Sequence, residues 1–244
     1  MQFSDTTNKD GIIQQIEYRI GIGDAGISGD ATLLKQITGQ VNDFYRKATQ
    51  IIITADGRWQ WDDTNQTDQP IATTSLVDEQ NDYTIMSSSP SEDQDWLQIE
   101  RVEMKDSNGI WTRITPVDLR DFGSAVGERF KTSGTPIYFD FNGASIKLYP
   151  TPNYDSTDGL KVWFTRAPLE FASTDTTKRP GFSSLFHEYL VFGPTYLWEK
   201  YKQSGNPEQT KRDMTEMEIN MAKFYGNRNK TETNKLKRMA VSYK

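Results

Sequence analysis

Residues 145–201 read SIKLYPTPNYDSTDGLKVWFTRAPLEFASTDTTKRPGFSSLFHEYLVFGPTYLWEKY. Ser145–Tyr149 and Leu160–Arg166 alternate in the two-residue period of strands. A polar, Pro-bearing loop follows and leads into an aromatic-rich helix. No group in the stretch is arranged for catalysis. Its aromatic mass exceeds what a surface helix needs, which points to a part in an assembly.

Working outward, the pattern on the N-terminal side stays β-like back to Ile51. Leu97–Met104 reads as a long strand, turned at Ser107-Asn108-Gly109 into Ile110–Ile114. Asn-Gly suits a tight hairpin because the turn needs positive φ. The device recurs at Asn142-Gly143, between Ile137–Phe141 and Ser145–Tyr149, and Asp56-Gly57 predicts a third turn before Arg58-Trp59-Gln60-Trp61. Asp62–Pro70 and Ser87–Asp95 read as loops. The region predicts a mainly antiparallel sandwich or small barrel.

Helices are expected at both ends. The first spans roughly Asp10 to Ile20, with Ile12, Ile13, Ile16 and Ile20 as its stripe. The second begins near Asp30, with Ser28 or Asp30 as cap, and carries Leu33, Leu34, Ile37, Val41, Phe44, Tyr45 and Ala48 at helical spacing. The third runs roughly from Ser184 to Gln203, with Phe186, Tyr189, Leu190, Leu197 and Tyr201 along one side and a kink expected at Gly193-Pro194. Gly205 ends it. Asn206-Pro207-Glu208-Gln209 then starts a fourth helix, with Asn206 as cap and Gln209 reaching back. Met214, Met217, Met221, Phe224 and Tyr225 form its stripe.

The fold class is therefore α+β. Terminal helices form one bundle (1–50 and 171–228), with a central β-rich insertion (51–170) and an extended basic tail (229–244). The tail offers Lys230, Lys235, Lys237, Arg238 and Lys244 against Glu232, interleaved with Leu236, Met239, Val241 and Tyr243. Such a segment suits nucleic acid, or docking into an acidic, partly apolar groove on which it folds. Docking is the preferred reading, with Lys230, Lys235, Leu236, Lys237, Arg238, Met239, Tyr243 and Lys244 as the docking residues. The aromatics of the opening stretch sit where the insertion returns to the bundle and are expected to lock the two together.

Composition excludes much chemistry. The chain has 244 residues, enough for a real core. It has no cysteine and one histidine, His187. Disulfides, thiolate sites, histidine-cluster metals and His-based relays fail within one chain. The net charge of -6 argues against gripping nucleic acid over the whole surface. No signal peptide and no membrane span are expected.

Single motifs read blandly. Gly21-Ile22-Gly23-Asp24-Ala25-Gly26 matches G-x-G-x-x-G but follows a helix, not a strand, and reads as a flexible interhelical loop. Asp62–Asp68 is rich in oxygen ligands but lacks the EF-hand glycine and distal glutamate; it reads as a solvated turn, with Ca²⁺ as the alternative. His187-Glu188 lacks the second histidine of a zinc helix, Val191 standing in its place. Glu92 with Asp93, and Glu100 with Glu103, are neighbours without the facing geometry of a glycosidase. Ser183 and Ser184 suit helix capping. Trp59, Trp61, Trp96, Trp111, Trp163 and Trp198 read as core or interface residues, with sugar or base stacking as the alternative. No catalytic, cofactor or metal residues are expected.

Leu148-Tyr149-Pro150-Thr151-Pro152, Leu160–Pro168, Phe182–Trp198, the Trp59–Asp63 run and the opening helix pair together resemble head-to-tail adaptor (connector, or neck) proteins of tailed bacteriophages. The resemblance implies a helical bundle with a β-rich insertion, and a ring, usually of twelve subunits, seated under the portal with the genome passing through its lumen. It implies a C-terminal segment that reaches onto the portal, tail nozzle or fibre proteins as further partners, and a place in the virion after synthesis in the host cytoplasm. The expected function is a structural virion protein rather than an enzyme. The alternatives are another neck or tail-completion protein, or a carbohydrate-binding module.

Overall fold

The apolar spacing of the first helices is met by burial. In the computed structural model, which describes residues 1–55, 71–84, 96–118, 130–142, 145–166 and 168–228, α1 spans Ile12–Ile20 and buries Ile12, Ile13 and Ile16 completely. Gly21 ends it at φ 68°, a left-handed conformation that costs glycine little. Helix α2 spans Ala31–Ala55. Asp30 is its cap: Oδ1 accepts from the amides of Thr32 (2.8 Å) and Leu33 (3.1 Å). The expected onset of the two-residue period at Ile51 is corrected, because the helix continues to Ala55. Ile52 lies one turn beyond Ala48, on the same buried face, and that burial holds the β-prone Ile51-Ile52-Ile53 run in the helix.

The third helical region begins with a 3₁₀ turn, Ser184–Phe186, before α3 at Tyr189–Lys202. Ser183 occupies the cap position without a side-chain capping bond, so the expected serine cap is corrected. Tyr189, Leu190, Val191 and Phe192 are buried, whereas Tyr201 is 80% exposed and does not belong to the buried side. Pro194 is accommodated inside the helix. Helix α4 spans Pro207–Arg228, with Asn206 Oδ1 accepting from the Gln209 amide. The Gln209 side chain does not reach back; it donates to Asp213 one turn ahead. Met221 and Tyr225 are buried, while Phe224 is 43% exposed.

The β-region is two four-stranded sheets. The strands are β1 (Ile71–Leu76), β2 (Asp82–Thr84), β3 (Trp96–Lys105), β4 (Trp111–Arg113), β5 (Thr115–Pro116), β6 (Tyr138–Asn142), β7 (Ser145–Tyr149) and β8 (Ser156–Arg166). One sheet is ordered β1-β8-β3-β4 and the other β2-β7-β6-β5. All pairs are antiparallel except β5 with β6. Leu76, Val102, Met104, Leu160 and Val162 of the first sheet share one core with Tyr83, Phe139, Ile146 and Leu148 of the second. This is a sandwich; the barrel alternative is overturned. The chain changes sheets at Ile114, whose amide bonds Val102 while the next amide, of Thr115, bonds Ile137. The expected Asn108-Gly109 tip is present, with Gly109 at φ 80°. Asp106 holds it, Oδ1 accepting from the amides of Asn108 (2.9 Å) and Ile110 (2.8 Å).

The chain divides into two compact units, Met1–Trp59 with Glu170–Lys244, and Gln60–Leu169. The helices belong to the first and the sandwich to the second.

Candidate functional site

In the helical unit, residues 170–183 form neither helix nor strand, and their backbone is held partly by the main chain of Phe3 and Ser4 and partly by side chains. Asn42 on α2 brackets Phe171: its amide nitrogen donates to the Phe171 carbonyl and its oxygen accepts from the Phe171 amide, both at 2.9 Å. The Tyr45 hydroxyl accepts from the Gly181 amide (2.7 Å) and the Tyr225 hydroxyl from the Ser183 amide (2.9 Å). Phe3 and Tyr45 both stack on Phe171, and Tyr45 also meets Phe182. A loop can be buried only when its polar groups find such partners. The aromatics of residues 171–189 thus have these partners inside the helical unit.

The loop that carries the glycine motif is tied to α1 by a buried carboxylate. Glu17, on the last turns of α1, is 3% exposed, and its Oε1 accepts from the amides of Ile27 (2.9 Å) and Ser28 (2.6 Å) and from the Ser28 hydroxyl (2.9 Å). The hollow beside it is lined by Glu17, Asp24, Lys9 and Tyr18. Lys9 is paired with Asp24. A carboxylate-lined hollow with its lysine engaged repels phosphate, so the arrangement does not form a dinucleotide site.

His187 is buried at the end of the 3₁₀ turn. Nε2 donates to the Phe182 carbonyl (2.9 Å) and Nδ1 accepts from the Met1 ammonium (3.2 Å), which fixes a neutral tautomer. Burial first, with the Met1 ammonium adding and the Phe182 carbonyl opposing, pushes its pKa down to about 4. The residue is structural. Among the described residues no group of histidine or carboxylate side chains is placed to hold a metal.

The sandwich carries a different surface. Val102, Met104, Leu160 and Val162 point inward, so the strand period turns Arg101, Glu103, Lys105, Lys161 and Trp163 outward. Register places Arg113 opposite Glu103, Glu103 opposite Lys161, and Lys161 opposite Thr73, across four strands. Trp111 lies opposite Lys105, and Trp163 opposite Arg101 and Ile71. Lys161 Nζ stands 4.2 Å from the Trp111 ring centre and 5.4 Å from that of Trp163; Lys105 adds a second contact to Trp111 and Arg101 to Trp163. These cation–π contacts pin both indoles. Stacking of a sugar or base would need those ring faces free.

One end of the sandwich is acidic. The 77–81, 106–110 and 150–155 loops meet there: Asp155 accepts from the Asp78 amide, and Glu79 donates its amide to Pro152. Asp78, Glu79, Asp82, Asp155 and Asp158 are exposed. The field reaches neighbouring phenols. Burial first, then Asp106, pushes the Tyr154 hydroxyl up to about 12, and burial with Asp155 raises Tyr83.

The sequence-predicted docking residues Lys230, Lys235, Leu236, Lys237, Arg238, Met239, Tyr243 and Lys244 lie outside the described residues, as do the Asp62–Asp68 loop, Trp59, Trp61 and the Glu92-Asp93 pair. Glu100 accepts from Thr165 and Glu103 from Arg101, so this pair does not face a common cleft. Sequence reasoning missed Glu17, Asn42 and the cation–indole face. Only the face left a local signal, the alternation of Lys161 with Trp163 in one strand.

A family model described as the SU10 adaptor protein matches residues 7–225. The chain belongs to the SU10 adaptor protein family. The match spans both units. It bears out the resemblance to phage head-to-tail adaptors read from the sequence, and the family is one of structural adaptors, not an enzyme class. No curated protein matches the chain. Among the described residues no helix is long and apolar enough to cross a membrane.

Proposed function

We propose that this SU10-family adaptor is the head-to-tail adaptor ring of a tailed-phage virion, joining the portal to the tail machinery and lining the DNA channel. The observation that carries the reading is the family match over residues 7–225. The helices of residues 1–50 and 171–228 form one bundle that faces the portal. The β-insertion, 51–170, faces the tail nozzle or fibres. The tail, 229–244, docks on the portal through Lys230, Lys235, Lys237, Arg238 and Lys244 with Leu236, Met239 and Tyr243 between them. Twelve subunits close the ring. The net charge of -6 supports passage of DNA without specific binding.

Immobilised portal protein tests the reading. The full chain is expected to be captured, and a chain lacking residues 229–244 to be lost while its circular dichroism is unchanged. Capture of the shortened chain at full strength removes the docking role of the tail. Failure of the full chain to bind portal removes the adaptor reading.

A further inference from the structure

We infer that the cation–indole face of the sandwich docks the acidic loop end of a second copy of this chain, head to tail. This deepens the proposed ring and rests on that reading for its setting.

The face presents Arg101, Lys105, Arg113 and Lys161 around Trp111 and Trp163. Of the carboxylates on this side of the sheet, Glu103 is engaged by Arg101 and Glu100 accepts from the Thr165 hydroxyl. Lys105, Arg113 and Lys161 have no ion-pair partner among the described residues, so three charges stand ready for a partner's carboxylates. Ile71, 47% exposed, extends the apolar part beside Trp163. Tryptophan and arginine are enriched at energetic interface centres, and charged groups at their rims. Four cations in this patch stand out in a chain whose net charge is -6.

Every copy also carries the complement. Asp78, Glu79, Asp155 and Asp158 are exposed at the loop end of the same sandwich and form no ion pair among the described residues, and exposed Asp82 beside them lies opposite Lys147 on β7. A two-fold contact between identical faces would set cations against cations. A heterologous contact matches cations to carboxylates, leaves one of each surface open, and propagates until a ring closes. Nucleic acid fits less well, because the lysines cover the indole faces on which bases would stack.

The test is a charge swap in the full-length chain. One variant carries Lys105→Glu and Arg113→Glu; the other carries Glu79→Lys and Asp82→Lys. Self-association is followed by native mass spectrometry and light scattering across concentration. Each variant alone is expected to weaken association at least about tenfold. An equimolar mixture should recover it, since each face then meets an end of opposite sign. Recovery can only come from folded variants, and the acidic-end pair alters no core residue. Association of either variant at the unaltered strength overturns the inference, as does a mixture that stays dissociated, or an unaltered chain that never self-associates. If the swap rules hold but the chain ignores portal, the adaptor reading falls alone. If portal capture persists while the swap has no effect, only this inference falls.

Discussion

Gly193→Ala tests a close approach between α2 and α3. Gly193 lies inside α3, and its missing side chain faces the Phe44 ring on α2. A methyl group built there would stand well inside contact distance of three ring atoms, the farthest at 2.6 Å. Real Cβ atoms do not sit so close to carbon, so a helix or the ring must move. Phe44 has little room: it is 3% exposed, meets Tyr189 edge-on at 6.0 Å, and carries Lys47 over its face at 4.5 Å. Over-packing of this kind costs about 1–3 kcal/mol, and the severity of the overlap puts it at the upper end. Alanine returns about 1 kcal/mol of helix propensity. The net loss is about 2 kcal/mol, a fall of about 4–8 °C in Tm for a chain of this size. The assay is thermal unfolding followed at 222 nm, where the helical unit dominates. Phe44→Leu supplies the control: with the ring gone, Gly193→Ala should become neutral or stabilising, a coupling of about 2–3 kcal/mol. If alanine is neutral or stabilising beside the intact Phe44, α2 and α3 do not pack this closely at Gly193.

Glu17→Ala should cost about 2–5 kcal/mol in urea unfolding, because the buried amides of Ile27 and Ser28 lose their acceptor. Hydrogen exchange at those two amides should quicken with it, and unchanged protection would refute the role. Asn42→Ala leaves the Phe171 amide and carbonyl unpaired, a loss of about 2–4 kcal/mol readable as a shifted urea midpoint. His187 makes stability pH-dependent. Its folded-state pKa, about 4, lies below the ordinary 6.5, so the unfolded chain takes up the proton first. The contribution is whole above about pH 6.5 and is lost as pH falls towards 4, a change of about 3 kcal/mol. His187→Gln should flatten that part of the urea-midpoint profile, and an unaltered slope would assign the pH effect to other groups.

Local pattern carried the element types. The isoleucine stripe of α1, the Asp30 cap, the Asn206-Pro207 restart and the Asn108-Gly109 turn are each written within a few residues, because helix spacing, caps and positive φ are local demands. The α+β class and the absence of cysteine chemistry follow from the same level. Misreadings arose where a local preference met a distant surface. Ile51-Ile52-Ile53 is β-prone alone, yet Ile52 is buried one turn past Ala48 in α2. Tyr201 keeps the spacing of the α3 stripe but stands in solvent.

The tertiary structure alone decided which side chains act together. Asn42 meets Phe171 across 129 residues, and Tyr45 meets Gly181 across 136. Glu17 looks like a surface residue of an amphipathic helix until the glycine loop folds over it. Trp111, Lys161 and Trp163 become one face only through the β4-β3-β8 register, where a slip of one residue would send them to the other side. Periodicity tells each side chain which way it faces relative to its own backbone. What it faces is set by the packing of elements far apart in the chain.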